Sequence, residues 1–251
     1  IEDIKKQGCE RVLCLGDLAM AGPQPRMVIE FVRGQENWTV IQGNTDKLIG
    51  DFSPETVDKL KSVFPVMANA LLDDVLISRH IDLKQNYKEA IEELISVMEE
   101  GIESEEDKKE YLKNLPVQMN LEIEGVNILM VHGSPRRNNE DILPDMPLEQ
   151  IEEMLQGVDA DLVFCGHTHV PCGYQTNKKQ TVVNVGSVGR PMTSNPQACY
   201  VAANFENGGF SIEHRFVDYD RETAASIMTA RNFDGCDTLA QMILKPTRRH
   251  V

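Results

Sequence analysis

Four times in this chain a short apolar run ends in a turn that carries a side chain able to bind a metal. Val163-Phe164-Cys165-Gly166 runs into His167-Thr168-His169, and upstream lie Leu15-Gly16-Asp17, Gln42-Gly43-Asn44-Thr45-Asp46 and Met130-Val131-His132-Gly133. Each has a plain structural reading when taken alone. Gly-Asp is common in loops, Asn tolerates turn geometry, and a single His at a strand end is ordinarily a satisfied polar group. Their joint occurrence at four strand ends points to one convergent site. Asp17, Asn44, His132, His167 and His169 make a nitrogen and oxygen ligand set without thiolate. Such a set suits Mn, Fe, Zn, Ni or Co rather than a structural zinc or an iron–sulfur cluster.

Between these turns the pattern alternates. Residues 11–16 read as a buried strand, 25–33 as a helix with Pro25 in its first turn, and 39–42 as a second strand, the rhythm of an α/β protein with a largely parallel sheet. Side chains at the carboxyl ends of such strands share one crevice. From Ser53 to about Leu115 the character changes. Ser53-Pro54-Glu55-Thr56 reads as an N-cap followed by Pro, and Leu60, Val63 and Phe64 keep helical spacing. Tyr87, Ala90, Ile91, Leu94, Ile95 and Met98 form a stripe on a second helix, and the acidic stretch from Glu99 to Glu110 reads as a solvated helix face. Residues 51–115 are therefore expected to be an inserted helical cap beside the site, with 1–50 and 116–251 forming the core. Strands are expected over 117–123, 126–131, 162–166, 181–185, 198–205 and 210–217, with Asn207-Gly208-Gly209 as a hairpin turn. Helices are expected over 147–156 and 220–230. Strands late and helices early predict two packed sheets with helices outside.

The order GD, GN, H, GHxH resembles the calcineurin-like metallophosphoesterase superfamily. Val183-Asn184-Val185-Gly186-Ser187-Val188-Gly189-Arg190-Pro191 and Tyr219-Asp220 resemble its small prokaryotic phosphodiesterase and dinucleoside-polyphosphatase-like branch. The resemblance implies a four-layer αββα sandwich of two mixed sheets and a site for two divalent transition-metal ions. By match to the family's motifs, Asp17 would bridge the ions and Asn44 would ligate through a neutral amide oxygen while touching a phosphate. His132 and His167 would complete the second metal site, and His169 would belong to the first. Family members open with a strand ending in Asp-x-His, a motif found nowhere in these 251 residues. Ile1 to Gly8 reads like the last turns of a helix, so that strand is expected to lie outside this sequence.

The implied reaction is hydrolysis at phosphorus by a hydroxide held between the metals. Thr45 stands where many protein-phosphatase relatives carry a proton-donating His, and a Thr hydroxyl is far too weak an acid for that task near pH 7. Leaving groups stable as anions are therefore favoured, which means small phosphodiesters or nucleotide polyphosphates. Asp46 joins the catalytic set as a residue that orients its neighbours, against its reading as an Asx-turn. Arg190 either grips a phosphate with two nitrogens or faces solvent. From a different class, the superfamily's retromer subunit uses this fold to bind proteins, and a non-catalytic scaffold is the alternative reading.

Composition narrows the partners. With 25 Lys and Arg against 40 Asp and Glu, the formal net charge is −15. Such a surface repels phosphate backbones and argues against nucleic-acid polymers, while two bound cations would reverse the field locally for a small phosphorylated substrate. The six cysteines include no CxxC pair and read mainly as buried reduced thiols. No apolar run reaches membrane-spanning length, and cytoplasm is the expected compartment. His80, His214 and His250 fall outside the pattern and read as structural or exposed.

Overall fold

The structure, a computed structural model, describes residues 1–51, 53–76 and 110–248. The elements in chain order are α1 (Glu2–Lys6), β1 (Val12–Cys14), α2 (Pro25–Arg33), β2 (Trp38–Val40), α3 (Asn44–Gly50), α4 (Pro54–Val63) and α5 (Pro65–Leu76). There follow β3 (Gln118–Ile123), β4 (Val126–Val131), α6 (Leu148–Met154), β5 (Leu162–Cys165), β6 (Cys172–Gln175), β7 (Thr181–Asn184), β8 (Ala198–Glu206), β9 (Gly209–Val217), α7 (Arg221–Ala230) and α8 (Cys236–Leu244).

Five strands form one mixed sheet in the order β3-β4-β5-β7-β6, with β4, β5 and β7 mutually parallel and an antiparallel strand at each edge. Side-chain alternation sorts its residues to two faces. Ile128 and Met130 of β4 pack inward with Leu162, Phe164 and Val183, against Leu15, Ile41, Val201, Phe205, Phe210 and Ile212. Leu129, Val131, Val163 and Cys165 face the other way, onto Ile151 and Met154 of α6. Strands buried on both faces explain the nearly unbroken apolar runs in the sequence. On the far side, α2 to α5 and the helical residues 110–114 cover β1 and β2 through Ile29, Val32, Ile49, Val57, Leu71 and Leu112. The C-terminal helices α7 and α8 join α5 through Met228, Leu239 and Ala70. Helices thus cover one face of the five-stranded sheet, through α6, and the β1-β2 pair, through α2 to α5.

One expectation needs correction. The second strand layer is not a single mixed sheet: among the described residues it consists of a parallel pair, β1-β2, and a separate antiparallel pair, β8-β9. Besides α5, for which the sequence reading gave no helix of its own, three elements were also not anticipated. β6 is an edge strand whose Cys-Gly-Tyr-Gln sequence lacks a β-branched signal, α3 begins inside what reads as a turn, and α8 carries its buried Cys236, Leu239, Ala240 and Ile243 at helical spacing. On α4 Val57 and Leu60 reach the core, while Val63 and the following Phe64, expected on the same face, are exposed. Both two-residue hairpin turns, Glu124-Gly125 and Asn207-Gly208, have positive φ at both positions, the form that suits the twist of the flanking strands.

Of the expected cap, α4, α5 and residues 110–114 are described and belong to the outer helical layer. The stripe from Tyr87 to Met98, His80, His250 and most of the acidic stretch lie outside the described residues. All six cysteines are free, with Cys165, Cys199 and Cys236 buried but Cys9 exposed. No helix among the described residues is long and apolar enough to cross a membrane.

Phe164 stands between the two strand layers at 4% exposure. Phe164→Ala is expected to lower the unfolding free energy by about 3–5 kcal/mol, read as a shift of the urea midpoint. A change under about 1 kcal/mol would show that the two layers do not pack through this residue.

Candidate metal centre

The polar turns all lie at the carboxyl ends of parallel strands. The loops after β1 and β2 approach so closely that side chains are excluded between them. A Cβ on Gly16, whose φ is +89°, would meet the Gly43 amide nitrogen at 2.2 Å, and one on Gly43 would meet Asp17 Oδ1 at 2.1 Å. Asp46 bolts these loops together. Its fully buried carboxylate accepts the N–H groups of Asp17 (2.7 Å), Leu18 (2.9 Å) and Gly43 (2.8 Å). Burial, then the nearby Asp17 charge, pushes the Asp46 carboxyl up to about 6 against the pull of those three donors. Asp46 therefore braces the loops and presents no free oxygen to the crevice.

Asp17 itself sits in left-handed backbone, φ 57°. Its Oδ1 accepts the Thr45 N–H (2.9 Å) and stands 2.8 Å from the Thr45 hydroxyl, which also lies 3.0 Å from the Ala19 carbonyl. Its Oδ2 faces His132 Nε2 at 3.3 Å. Burial would raise the Asp17 carboxyl, but the His132 contact and charge, with the Thr45 donors, outweigh it and hold the group at about 2. For His132 burial acts downward, and the Asp17 bond and charge overcome it, so the imidazole is raised.

The three imidazoles share one design. His132 Nδ1 lies 2.7 Å from the Leu15 carbonyl, His169 Nδ1 lies 2.7 Å from the Arg190 carbonyl, and His167 Nε2 lies 3.4 Å from Asp141 Oδ1. The Leu15 and Arg190 carbonyls can only accept, so Nδ1 carries the N–H in His132 and in His169, whereas His167 meets Asp141 through a charge contact. The other ring nitrogen of His132 and of His167 points at Asn44 Oδ1, at 3.0 and 2.8 Å. The His132 and His167 rings meet edge to face with centroids 5.3 Å apart. His169 feels the charges of Asp17 and His132, and burial drives it down to about 4, so it is neutral at physiological pH. Neutral imidazoles whose far N–H is held by an oxygen are the usual orientation of metal-binding histidines.

This donor set fits a cation. Asn44 Oδ1, Asp17 Oδ2 and ring nitrogens of His132 and His167 face one another, and with the rings in their lone-pair tautomers a cation among them would satisfy all four. The convergence runs through Asn44: among the described residues no three His, Cys, Asp or Glu side chains stand at ligand spacing around one point. Arg190 brings its carbonyl to His169, while its half-buried guanidinium reaches the sulfurs of Met67 (3.8 Å) and Met242 (3.3 Å) and is lowered by burial.

All the expected ligand positions thus lie at one crevice. Two contributors escaped the sequence reading. Asp141, which faces His167, stands in a loop without a recognisable pattern. Asn184 ends β7 with its side chain wholly buried. The backbone of the two-histidine turn carries strain, since His167 and His169 both have positive φ, 63° and 60°, at about 1–2 kcal/mol each for a residue with a Cβ.

A layered α/β sandwich with such donors at its strand ends defines a metallophosphoesterase-type protein. Residues 1–208 match the calcineurin-like phosphoesterase superfamily domain, and the chain belongs to that superfamily. It is 24% identical over 240 residues to the uncharacterized protein MJ0912 of Methanocaldococcus jannaschii, covering 89% of this chain and 82% of that one. Its fold resembles that of the hypothetical protein PH1004 from Pyrococcus horikoshii OT3, with a TM-score of 0.75 at 22% identity over 99% of this chain and 90% of that one. A metallophosphoesterase from Sphaerobacter thermophilus gives 0.67 at 19% identity over 97% and 92%.

The loop after β4 is closed by Glu140, which accepts hydrogen bonds from Ser134, Arg136 and Arg137. The Arg136 bond, outweighing burial and joined by Ser134 and Arg137, holds the Glu140 carboxyl at about 2. A carboxyl lowered on folding stabilises the protein above its unfolded pKa, and that share is lost as pH falls from about 4.3 toward about 2. Glu140→Gln should remove about 1–2 kcal/mol at pH 7, discounted because both arginines are partly exposed. It should also flatten the acid limb of stability between pH 5 and 2. An unchanged acid limb in urea titrations would contradict this.

Proposed function

We propose that this protein is a metal-dependent phosphoesterase that hydrolyses small phosphodiesters or nucleotide polyphosphates. The observation that carries the reading is the convergence of His132 Nε2 and His167 Nδ1 on Asn44 Oδ1 beside Asp17 Oδ2. Asp17, Asn44, His132 and His167 would hold one divalent ion, and His169 with Asp17 would contribute part of the ligand set of a second, the ions drawn from Mn, Fe, Zn or Ni. When bound, these supply Lewis-acid activation of water and neutralise charge on the phosphate.

The chain's own residues set the rest. Asn44 brings an oxygen without adding negative charge near an anionic substrate. The Thr45 hydroxyl lies between Asp17 Oδ1 and the Ala19 carbonyl, so it orients Asp17 and donates no proton to a leaving group. Departing groups must therefore be stable as anions, which supports anhydrides and activated diesters over phosphoserine. Asp46 acts on the reaction by positioning the Asp17 and Asn44 loops. Among the described residues the Arg190 guanidinium has thioethers rather than a carboxylate as partners and keeps donors for a substrate phosphate. Residues 51–115, as a cap beside the crevice, would choose among substrates in the cytoplasm.

Hydrolysis of bis-p-nitrophenyl phosphate with added Mn should be robust in the wild-type protein and fall to background in His167→Ala. Metal binding without turnover of either this ester or dinucleoside polyphosphates would move the reading to a protein-binding scaffold. Arg190→Ala should raise KM for a dinucleoside polyphosphate about tenfold or more, the loss of a charge-assisted phosphate contact. A phosphoserine peptide turned over as well as the polyphosphate would sink the leaving-group argument.

A further inference from the structure

Asn184 has no exposed surface, and every polar atom of its side chain is engaged. Its Nδ2 lies 2.8 Å from the Gly166 carbonyl, 2.8 Å from Thr168 Oγ1 and 3.1 Å from the Ile142 carbonyl, and its Oδ1 accepts the Gly186 N–H at 3.1 Å. Each contact lands on a segment that sets a histidine ring. Gly166 immediately precedes His167, and Thr168 separates His167 from His169. Ile142 follows Asp141, the carboxylate facing His167 Nε2. Gly186 opens the loop whose Arg190 carbonyl faces His169 Nδ1. His214 Nε2, 2.7 Å from the Asn184 carbonyl, secures the same residue from β9.

We propose that Asn184 is the positioning residue of the two-histidine turn: one buried amide holds His167 and His169 in their left-handed backbone and presents their lone pairs to the metal site. Left-handed backbone at two residues with a Cβ persists only where the surroundings over-determine it, and Asn184 grips the turn on both sides of His167. An amide is the group this place requires, because its two N–H donors are shared among two carbonyls and a hydroxyl while its oxygen accepts one N–H. A carboxylate of the same shape would set oxygen against oxygen at Gly166 and Ile142. The inference rests on His167 and His169 being ligands, as proposed above, but ring orientation can be read without a metal.

The test is long-range 1H–15N correlation of the histidine rings in the metal-free protein, followed by Mn titration. The wild-type rings of His167 and His169 should each show one fixed tautomer. In Asn184→Ala both should average between tautomers, and Mn affinity should fall at least about tenfold. Thr176→Val is the control for lost stability alone. Thr176 is also buried, at 4% exposure, and its hydroxyl accepts the Gln180 N–H at 3.0 Å in the turn leaving β6. It should lower the melting temperature without touching either readout. If alanine does not fold, Asn184→Ser, which keeps one donor and one acceptor, is read in the same way. Averaged rings in a protein that binds no Mn would support the positioning role and refute the metal reading. A folded variant with wild-type ring signals and Mn affinity within about twofold would overturn the proposal.

Discussion

A shortage of protons organises this structure. At the crevice, Asp17 Oδ2, Asn44 Oδ1 and ring nitrogens of His132 and His167 approach within 2.8 to 3.3 Å. The Nδ1–H of His132 is committed to a backbone carbonyl, and His167 Nε2 faces the Asp141 carboxylate at 3.4 Å. Acceptors held this way repel one another unless a cation or a proton sits among them. The raised affinity of His132 for a proton is the same demand seen from the protein's side. The remaining architecture has to hold this arrangement against its own repulsion.

It does so with backbone rather than with flexible side chains. Two glycines let the first two loops touch, and the Asp46 carboxylate ties three amide groups from those loops into one unit. Underneath, the strands that carry the loops are buried on both faces, so a shift of any ligand would have to disturb a packed core. Behind the loop after β1, Arg231 donates to Asp73 of α5 and to the Gly22 carbonyl, each at 2.6 Å. That buried pair joins the outer helices to the loop leading away from Asp17. The sheet edge behind the two-histidine turn is open by contrast. There β6, β7 and β9 leave a groove of about 510 Å3 lined by Cys172, Val183, Ile212, His214 and Phe216, none of them a ligand position.

The ligands were legible because each directly follows an apolar run, so a one-dimensional pattern reported a three-dimensional convergence. Strands β3, β4, β5, β7, β8 and β9 and helices α2 and α7 were legible through the same periodicity. What stayed hidden depends on contacts between distant segments. Asn184 sits inside a motif visible in the sequence, yet its role lies in bonds to Ile142 and Gly166, 42 and 18 residues away. Asp46 read equally well as a turn residue, and only its three amide partners across the loops show it to be a brace. Periodicity reports which residues are buried, and it cannot report which strands pair, so the split of the second layer into β1-β2 and β8-β9 was beyond it.

The most direct test of the central claim is an anomalous difference map from crystals grown with saturating Mn. A peak in contact with Asn44 Oδ1, His132 Nε2, His167 Nδ1 and the Asp17 carboxylate would show that the crowded acceptors are a cation site. A crevice without anomalous density, or Mn held only by residues elsewhere, would contradict the account.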